Sequence, residues 1–386
     1  MSVDALRGFD MFWIAGGGLI VGALERWKGN SILARLKEQL THVEWAGFRF
    51  YDLIFPLFVF LVGVSVVLAI PKSIEKRGRW GTVRHILTRG ILLFVIGLIY
   101  SGGISSGWNE IRWLGVLNRI AICYTVTALL FTFLQIRWLI PVAAAGLLGY
   151  WGLMVAVPIR DIKLEKTALE KLSEKRLETN VVTLYEETKD RINGQFEPGY
   201  NLANHLDFRF LPGRRYDTYY DPEGLLSTLP AIVTCLLGVF AGRWQINERI
   251  EPGVRSMGLV VTGFLFIALG YLWGFQFPVI KKIWTSSFVL VAGGYSLMLL
   301  GTFHQIIDVW GLRAWCQPFV WIGANALTIY LAARFLSFGA VAQRLAGGPI
   351  KSAFGSAGET FVGLVAVGLL FWFARFLYRR QIFLRL

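Results

Sequence analysis

Charged residues are scarce in this 386-residue chain, where Asp, Glu, Lys and Arg together make up 17%. Soluble domains carry about 25% of such residues. Hydrophobic residues make up 55% of the chain and gather in long runs that hold almost no charge. Runs of this kind are typical of helices that have lipid as their solvent. The shortage of charge therefore excludes an ordinary soluble domain and predicts an integral membrane protein.

Cysteine is also scarce, and no two cysteines form a CxxC pair. The three that are present lie in or beside apolar runs, where we interpret them as small packing residues: Cys123, Cys235 and Cys316. The sequence has no GxxxxGK[ST] phosphate loop and no GxSxG nucleophile motif. Its His and Cys residues lack metal-ligand spacing. We therefore expect no P-loop ATPase, no nucleophile elbow and no bound metal.

Ten apolar runs are long enough to cross a bilayer, which takes about 20 residues. They lie at 9–24, 53–70, 86–101, 114–134, 139–158, 225–241, 257–276, 284–303, 318–338 and 360–378. The first run follows MSVDALRG without a small-residue cleavage motif, so it is interpreted as a retained span. The predicted fold is all-α, a polytopic transmembrane helical bundle of about ten spans.

One large polar insert, at 160–224, divides the chain into two membrane halves at 1–159 and 225–386. The first part of the insert has charge pairs at helical spacing, which predicts a solvated helix. The second part is richer in Gly, Pro, Asn and Tyr and predicts an ordered loop. The two membrane halves show no convincing repeat, so the sequence does not indicate an inverted-repeat transporter.

The net charge of +14 comes from basic residues that lie between the apolar runs. This placement indicates membrane topology and anionic lipid headgroups, and no nucleic-acid partner is expected. Loops 71–85 and 242–256 and the C-terminal tail are basic, and on a ten-span count they share one side with the N-terminus. The positive-inside rule predicts that this side is cytoplasmic and that the insert is extracytoplasmic. Loop 25–52 is also basic yet falls outside, which conflicts with the rule.

The densest group of polar residues precedes the second run, in THVEWAGFRFYDLIFPLF. His42, Glu44 and Asp52 stand there, just before a strongly apolar segment. Histidine is the usual general base near neutral pH, and a nearby carboxylate can orient its ring. The alternative is an interfacial histidine with solvent partners.

Three other groups place polar residues at or inside apolar runs. Asn118 and Arg119 lie within the fourth run, where a guanidinium is costly and suits a cavity, a phosphate or a structural ion pair. Asp221 and Glu223 precede the sixth run, where they could bind substrate or cap a helix. Asn325 lies within the ninth run and needs a hydrogen-bond partner, either a ligand or a neighbouring helix.

Near the start of the chain, Asp4 and Arg7 stand at i,i+3 spacing. This spacing suits a local ion pair on one helix face and equally a contact between Arg7 and a ligand. The residues alone leave both roles open.

Taken together, these segments resemble the heparan-α-glucosaminide N-acetyltransferase family of membrane acyltransferases, in its bacterial branch. The resemblance runs across most of the chain. It is carried by SVDALRGFDMFW at the start, HVEWAG at 42–47, DLIFPLFVFLVGVS at 52–65, GVLNRIAICY at 115–124, NLANHLDFRFLPG at 201–213, DPEGLLSTLPAIVTCLLGVFAG at 221–242, KKIWTSSFVL at 281–290 and GANALTIYL at 323–331.

The resemblance implies a multi-pass enzyme of the bacterial inner membrane that moves acetyl from cytosolic acetyl-CoA to an amino sugar or glycan on the far side. It implies His42 as the essential residue, with Asp52 to orient it. Arg7, Asn118, Arg119 and Asn325 are then expected to contact acetyl-CoA, and Trp45, Asp221 and Glu223 the acceptor. Animal members have an assisting Asn where this chain reads WIAGGGLIV, with Gly instead.

Two mechanisms stay open at this point. His42 either activates the acceptor in a ternary complex or is itself acetylated first. The rival class is a transporter or flippase for an anionic or glycan substrate, which buried Arg and Asn would also suit. A purely structural scaffold fits poorly with so many polar residues inside spans, and the sequence leaves open whether the chain forms a homodimer.

Overall fold

The computed structural model describes residues 1–24, 31–105, 107–176 and 180–384, and the chain over these ranges is mostly helical. The predicted tail residue Arg385 and the start of loop 25–52, at 25–30, lie outside the described residues. In chain order the helices are α1 (Ser2–Leu24), α2 (Ser31–Gln39), α3 (Phe50–Tyr100), α4 (Val116–Phe133), α5 (Ile136–Ala156), α6 (Lys166–Arg176), α7 (Val181–Glu187), α8 (Leu202–Phe210), α9 (Thr228–Gln245), α10 (Pro252–Gly274), α11 (Ser286–Phe303), α12 (Gln317–Ala324), α13 (Ala326–Phe335), α14 (Phe338–Ala346), α15 (Gly348–Ala353) and α16 (Gly358–Arg379).

A helix lies over each of the ten predicted runs. Within the described part of the chain, 6 helices are long and apolar enough to cross a membrane, or up to 7 if the bent pair α13 and α14 forms one span. The total of ten spans therefore stays a prediction. Large apolar side chains cover the outer face of α10, where Phe264, Leu269 and Leu272 are exposed. A face of this kind is suited to lipid and poorly suited to water.

The second and third predicted runs form the two arms of α3, with a break between them at Gly78. Gly78 has φ of 70°, a left-handed conformation that glycine adopts without steric cost. Thr82 Oγ1 donates to Ser73 Oγ at 3.1 Å. Nine residues of straight helix would separate these groups by about 13 Å, so the chain reverses direction at Gly78. The predicted loop 71–85 is thus helical on both sides of one tight turn.

The ninth predicted run is broken at Asn325, where α12 ends and α13 begins. Asn325 has φ of −122° and ψ of 27°, outside the helical region. The chain bends again by 58° between α13 and α14. Broken helices inside a membrane bundle expose backbone groups and polar side chains to a cavity or to neighbouring helices.

The core of the bundle depends on close helix approach at small residues. A Cβ added to Gly63 on α3 would lie 1.8 Å from the Cys235 carbonyl oxygen, and one added to Gly238 on α9 would lie 1.9 Å from the Phe60 carbonyl oxygen. The two helices therefore touch backbone to backbone, as small residues permit in membrane bundles. This contact places the middle of α9 beside the first arm of α3.

The polar insert folds as a small layer on one end of the bundle. A two-stranded antiparallel sheet pairs β1 (Ile159–Arg160) with β2 (Arg191–Ile192), and it is the one sheet in the described part of the chain. The segment predicted as one solvated helix contains two helices, α6 and α7, with 177–179 outside the described residues, and α7 buries Leu184 and Tyr185. The predicted loop region contains α8. An apolar cluster that includes Tyr150, Leu202, Phe277 and Ile283 attaches the insert to the bundle.

Candidate functional site

The loop at 40–49, between α2 and α3, places His42 against the first turn of α3. His42 Nδ1 lies 2.8 Å from Asp52 Oδ1. The other carboxylate oxygen, Asp52 Oδ2, accepts the backbone N–H groups of Arg49 at 3.2 Å and Val43 at 3.3 Å. The Asp52 side chain is 0% exposed, whereas that of His42 is 52% exposed. A buried carboxylate thus holds a histidine ring that faces the solvent.

These hydrogen bonds select one tautomer of His42. An ionised carboxylate only accepts hydrogen bonds, so the hydrogen between His42 and Asp52 belongs to Nδ1. Nε2 then keeps its lone pair on the exposed side of the ring. A neutral imidazole held in this way can accept a proton or attack an electrophile.

Lys281 completes this group from the loop 275–285. Its Nζ atom lies 3.4 Å from Asp52 Oδ1, 3.0 Å from His42 Nδ1 and 3.4 Å from His42 Nε2. The Gly47 N–H donates to the Val279 carbonyl at 2.8 Å, which ties the two loops together. Burial lowers the pKa of the Lys281 ammonium, and the negative charge of Asp52 opposes that shift. The site is therefore a triad of His42, Asp52 and Lys281.

Aromatic groups border the triad. The ring of Tyr51 lies 4.9 Å from that of His42. Trp45, predicted to contact the acceptor, donates from Nε1 to the Phe196 carbonyl of the insert at 2.7 Å. Trp45 therefore links the histidine loop to the insert.

A second charged group lies at the same end of the molecule. Arg112 Nη2 donates to Asp221 Oδ1 at 2.7 Å and to Glu223 Oε2 at 2.6 Å, and Arg112 Nε donates to Asp221 Oδ2 at 2.9 Å. Both carboxylates, which the sequence predicted as acceptor contacts, are engaged by this one guanidinium. The Arg112 ion pair fastens the end of the insert to the segment before α4.

Two buried acids near this ion pair have strongly raised pKa values. Burial raises the pKa of Asp207 to about 7 and that of Glu223, which also feels the charge of Asp221, to about 7. Asp207 accepts the N–H of Leu225 at 2.8 Å and thereby holds the start of α9. The acids therefore change charge near neutral pH within a structural junction.

Asn118 and Arg119, predicted to contact the donor, occupy helix α4 close to this junction. Arg119 Nη2 lies 2.5 Å from Ser227 Oγ, and its guanidinium carbon lies 5.0 Å from the Trp284 ring centroid. Nε and Nη1 of Arg119 are buried without a hydrogen-bond partner. Asn118 donates to the Phe94 carbonyl at 2.9 Å. The structure places both residues between helices, outside the cavity that Arg7 and Asn325 line.

That cavity, of about 280 Å³, lies between α1, α3, α4 and the α12–α13 break. Its polar lining includes Arg7, Arg89 and Asn325, and both amide atoms of Asn325 are buried without a partner. On α3 the lining extends from Phe55 to Ile70, a length of roughly 22 Å at 1.5 Å per residue. Phe55 is one turn beyond Asp52, so the cavity runs from the arginine end toward the triad.

The arginine end of the cavity is itself well defined. Arg7 Nη2 donates to Ser65 Oγ at 2.8 Å, and Arg7 also pairs with Asp4 at 3.0 Å. The guanidinium carbon of Arg89 lies 4.9 Å from the Tyr124 ring centroid, and Arg89 Nε is buried without a partner. Two guanidiniums with spare donors and an unpaired amide form a site suited to an anionic ligand.

Sequence reasoning missed Lys281, Arg112 and Arg89. A signal was present for the first two, because both are basic residues in short loops that the predicted topology puts outside, where the positive-inside rule predicts few. Arg89 was visible as an arginine within the predicted span 86–101. In all three cases the signal was a basic residue at a position where a membrane protein is expected to have few charges.

Comparison with known proteins agrees with these motifs. Residues 1–179 match the family model for heparan-alpha-glucosaminide N-acetyltransferase, catalytic. The chain is 27% identical over 332 residues to a Homo sapiens protein named heparan-alpha-glucosaminide N-acetyltransferase, covering 75% of this chain and 48% of that protein. A Mus musculus protein of the same name is 27% identical over 331 residues, with the same coverage. The chain spans about half the length of these curated relatives.

Proposed function

We propose that the chain is a membrane-bound acyltransferase of a heparan-alpha-glucosaminide N-acetyltransferase-like family, the family to which it is similar. It transfers acetyl from acetyl-CoA to an amino sugar or glycan acceptor at the extracytoplasmic end of the bundle. The observation that carries this proposal is the half-exposed His42 ring, held by the buried Asp52 one helical turn before Phe55, where the lining of the arginine-containing cavity begins on α3.

The chemistry follows from the free Nε2 of His42. As a base, Nε2 removes the proton from the acceptor amine or hydroxyl while that group attacks the acetyl carbonyl and the C–S bond breaks. As a nucleophile, Nε2 takes the acetyl group itself, releases the thiol, and passes the acetyl to the acceptor in a second step. In both routes Asp52 stabilises the positive charge that develops on the ring.

The residues of the cavity fit an acyl-CoA donor. Arg7 and Arg89 offer guanidinium groups for phosphates, and Asn325 offers an unpaired amide. Apolar side chains such as Met11, Ile14 and Phe58 line the stretch between the arginines and the triad. When bound, the donor supplies the activated acetyl group, while these residues orient it and exclude water.

The acceptor is proposed to lie over the exposed face of His42, between Trp45 and the insert. Aromatic rings such as those of Trp45 and Tyr51 provide flat apolar surface against which a sugar ring can pack. Asp221 and Glu223 are proposed to affect the acceptor indirectly. Arg112 pairs with both carboxylates, and this ion pair holds the insert in place.

The orientation is proposed from the basic loops. The turn at Gly78, the N-terminus and the C-terminus are placed on the cytoplasmic side of a bacterial inner membrane, and the insert outside. Single cysteines at residues 76 and 190 should be labelled by impermeant maleimide from opposite sides. Labelling of position 190 from the cytoplasm would reverse the assignment.

The activity is tested by following free CoA thiol with acetyl-CoA and a panel of hexosamines and glycan hydroxyls. Wild-type protein should release thiol and acetylate at least one acceptor. His42→Ala should lose transfer by at least the ~10²–10⁴-fold attributed to a general base, while its acetyl-CoA affinity and thermal unfolding stay unchanged. His205→Ala, which removes a buried histidine of the insert, is the matched control.

Two results would overturn the proposal. Wild-type transfer by His42→Ala would remove the catalytic assignment. Transport of labelled glycan without any thiol release would instead favour the transporter reading. Mass spectrometry after acetyl-CoA alone separates the two routes, since only the covalent route leaves an acetyl group on His42.

A further inference from the structure

The position of Lys281 presents a hydrogen-bond problem that the His42–Asp52 pair does not solve. Its Nζ atom is within 3.0 Å of His42 Nδ1, yet Nδ1 already carries the hydrogen donated to Asp52. Lys281 has only donors and cannot accept from that nitrogen. The ammonium therefore acts on the ring chiefly through its charge, while its short contact with Asp52, at 3.4 Å, is an ion pair.

We propose that Lys281 is a positioning residue of the acyltransferase site, which keeps Asp52 ionised and disfavours a proton on Nε2 of His42. The inference rests on the proposed function for its consequence in catalysis. A positive charge about 3 Å from the ring makes a second positive charge on that ring unfavourable.

Burial strengthens this role. The Lys281 side chain is only 19% exposed and Asp52 is 0% exposed, so water screens their interaction less than at an open surface. The loop that carries Lys281 is held by the contact between Gly47 and Val279. Two residues further on, Ile283 accepts a hydrogen bond from the Tyr150 hydroxyl. The ammonium is thus fixed by both loop and bundle.

The other charged or titratable groups around His42 do not replace this charge. The phenol ring of Tyr51 packs against the His42 ring, and Arg49 Nη1 donates to the His42 carbonyl at 3.1 Å. Glu44, two residues along the loop, is exposed. Glu223 adds a more distant negative charge that acts on Lys281. Among the described neighbours, Lys281 is the cation that contacts the imidazole nitrogens themselves.

The test measures the protonation of His42 without relying on transfer activity. Diethyl pyrocarbonate modifies neutral imidazole, so the rate of His42 modification is followed against pH by peptide mass spectrometry. In Lys281→Met the midpoint should rise by at least about one pH unit, which is the shift for loss of a unit charge at this distance with full water screening. Lys281→Arg keeps the charge and should stay near wild type.

Lys282→Met is the matched control. Lys282 is the next residue and pairs with Asp217 of the insert at 2.9 Å, so its loss should leave the midpoint unchanged. Lys281→Gln keeps a donor toward Asp52 without the charge, and it serves if the Met variant does not fold. An unchanged midpoint in a folded neutral variant would overturn the proposal.

The same variants separate this inference from the proposed function. If wild type transfers acetyl, the acid limb of its pH–rate profile should move upward by about one pH unit in Lys281→Gln, which a merely structural role would not produce. If wild type transfers nothing, the proposed function fails while the modification midpoints still decide the role of Lys281.

Discussion

Two charged groups lie at the same end of this bundle and differ in what their side chains leave free. The triad of His42, Asp52 and Lys281 keeps a half-exposed imidazole with an unshared lone pair. The junction around Arg112 is closed, because one guanidinium satisfies both Asp221 and Glu223. Similar residue types thus form a reactive site in one group and a structural ion pair in the other. The difference is whether a reactive atom is left unpaired toward the solvent.

The two groups also differ in their effects on stability and reactivity. Removing one partner of a closed, buried ion pair strongly destabilises the folded protein, although the intact pair adds little net stability. The open triad leaves the ring of His42 exposed and ready to react. Functional residues are therefore better recognised by unsatisfied, accessible atoms than by charge alone.

Removing the carboxylate of the open group should have the largest effect. Asp52→Asn keeps the shape but presents an amide, so the tautomer of His42 is no longer imposed. We expect the transfer rate to fall by about 10²–10⁴-fold, the range for a disabled general base, with unchanged acetyl-CoA binding by calorimetry. Asp217→Asn, in the ion pair with Lys282, should retain nearly full activity. A fully active Asp52→Asn enzyme would contradict the assignment.

Opening the closed group should act on stability. Arg112→Met leaves two buried carboxylates without their cation, at a cost of about 3–5 kcal/mol in unfolding free energy. Thermal unfolding in detergent and protease cleavage within 160–224 would measure the loss. Arg214→Met, which removes an exposed guanidinium that contacts the Ser101 carbonyl, is the control. Equal stability of the two variants would show that the junction does not hold the insert.

The cavity arginines should have a moderate effect on donor affinity. Arg7→Ala or Arg89→Ala should weaken acetyl-CoA binding about tenfold each, as loss of one charged hydrogen bond predicts. Sequence analysis predicts the same role for Arg119, whereas its guanidinium lies outside the cavity. Calorimetry on Arg119→Ala decides whether Arg119 or the cavity arginines bind acetyl-CoA. An equal loss of acetyl-CoA affinity in Arg119→Ala would favour the sequence prediction over the cavity.

The smallest effect should be a pH dependence of the closed group. The raised pKa values of Asp207 and Glu223, each about 7, mean that the folded protein binds these protons more tightly than the unfolded chain. Stability should therefore increase as pH falls from 8 toward 6, with a thermal midpoint higher by a few degrees. Asp207→Asn should reduce this dependence, and Asp217→Asn should not. A midpoint that falls over the same range would contradict the shifts.

Several features of the fold followed from the pattern of the sequence. The apolar runs predicted helices, and helices lie over all of them. This prediction was possible because the length and composition of an apolar run can be read from the local sequence alone. The pairing of the histidine loop with the first turn of α3 was also foreseeable, since His42 and Asp52 are only ten residues apart. Gly78 was not flagged, although the turn there depends on its left-handed φ.

The contacts of Asn118 and Arg119 could not be predicted in the same way. An arginine inside an apolar run is equally suited to a ligand and to a neighbouring helix. Only the packing of α4 against the start of α9 directs Arg119 toward Ser227. For Asp221 and Glu223 the deciding partner, Arg112, is more than 100 residues earlier.

The sequence by itself determined that this chain is a helical membrane protein, where its apolar segments lie, which family it resembles and that His42 has a carboxylate within reach. These properties depend on composition, motif and short spacing. The tertiary structure alone decided that Lys281 joins the triad from 239 residues away, that Arg7 and Arg89 share one cavity, and that Arg112 closes the junction. Such contacts arise from how helices pack, and the packing of distant segments is not encoded in the spacing of any one of them.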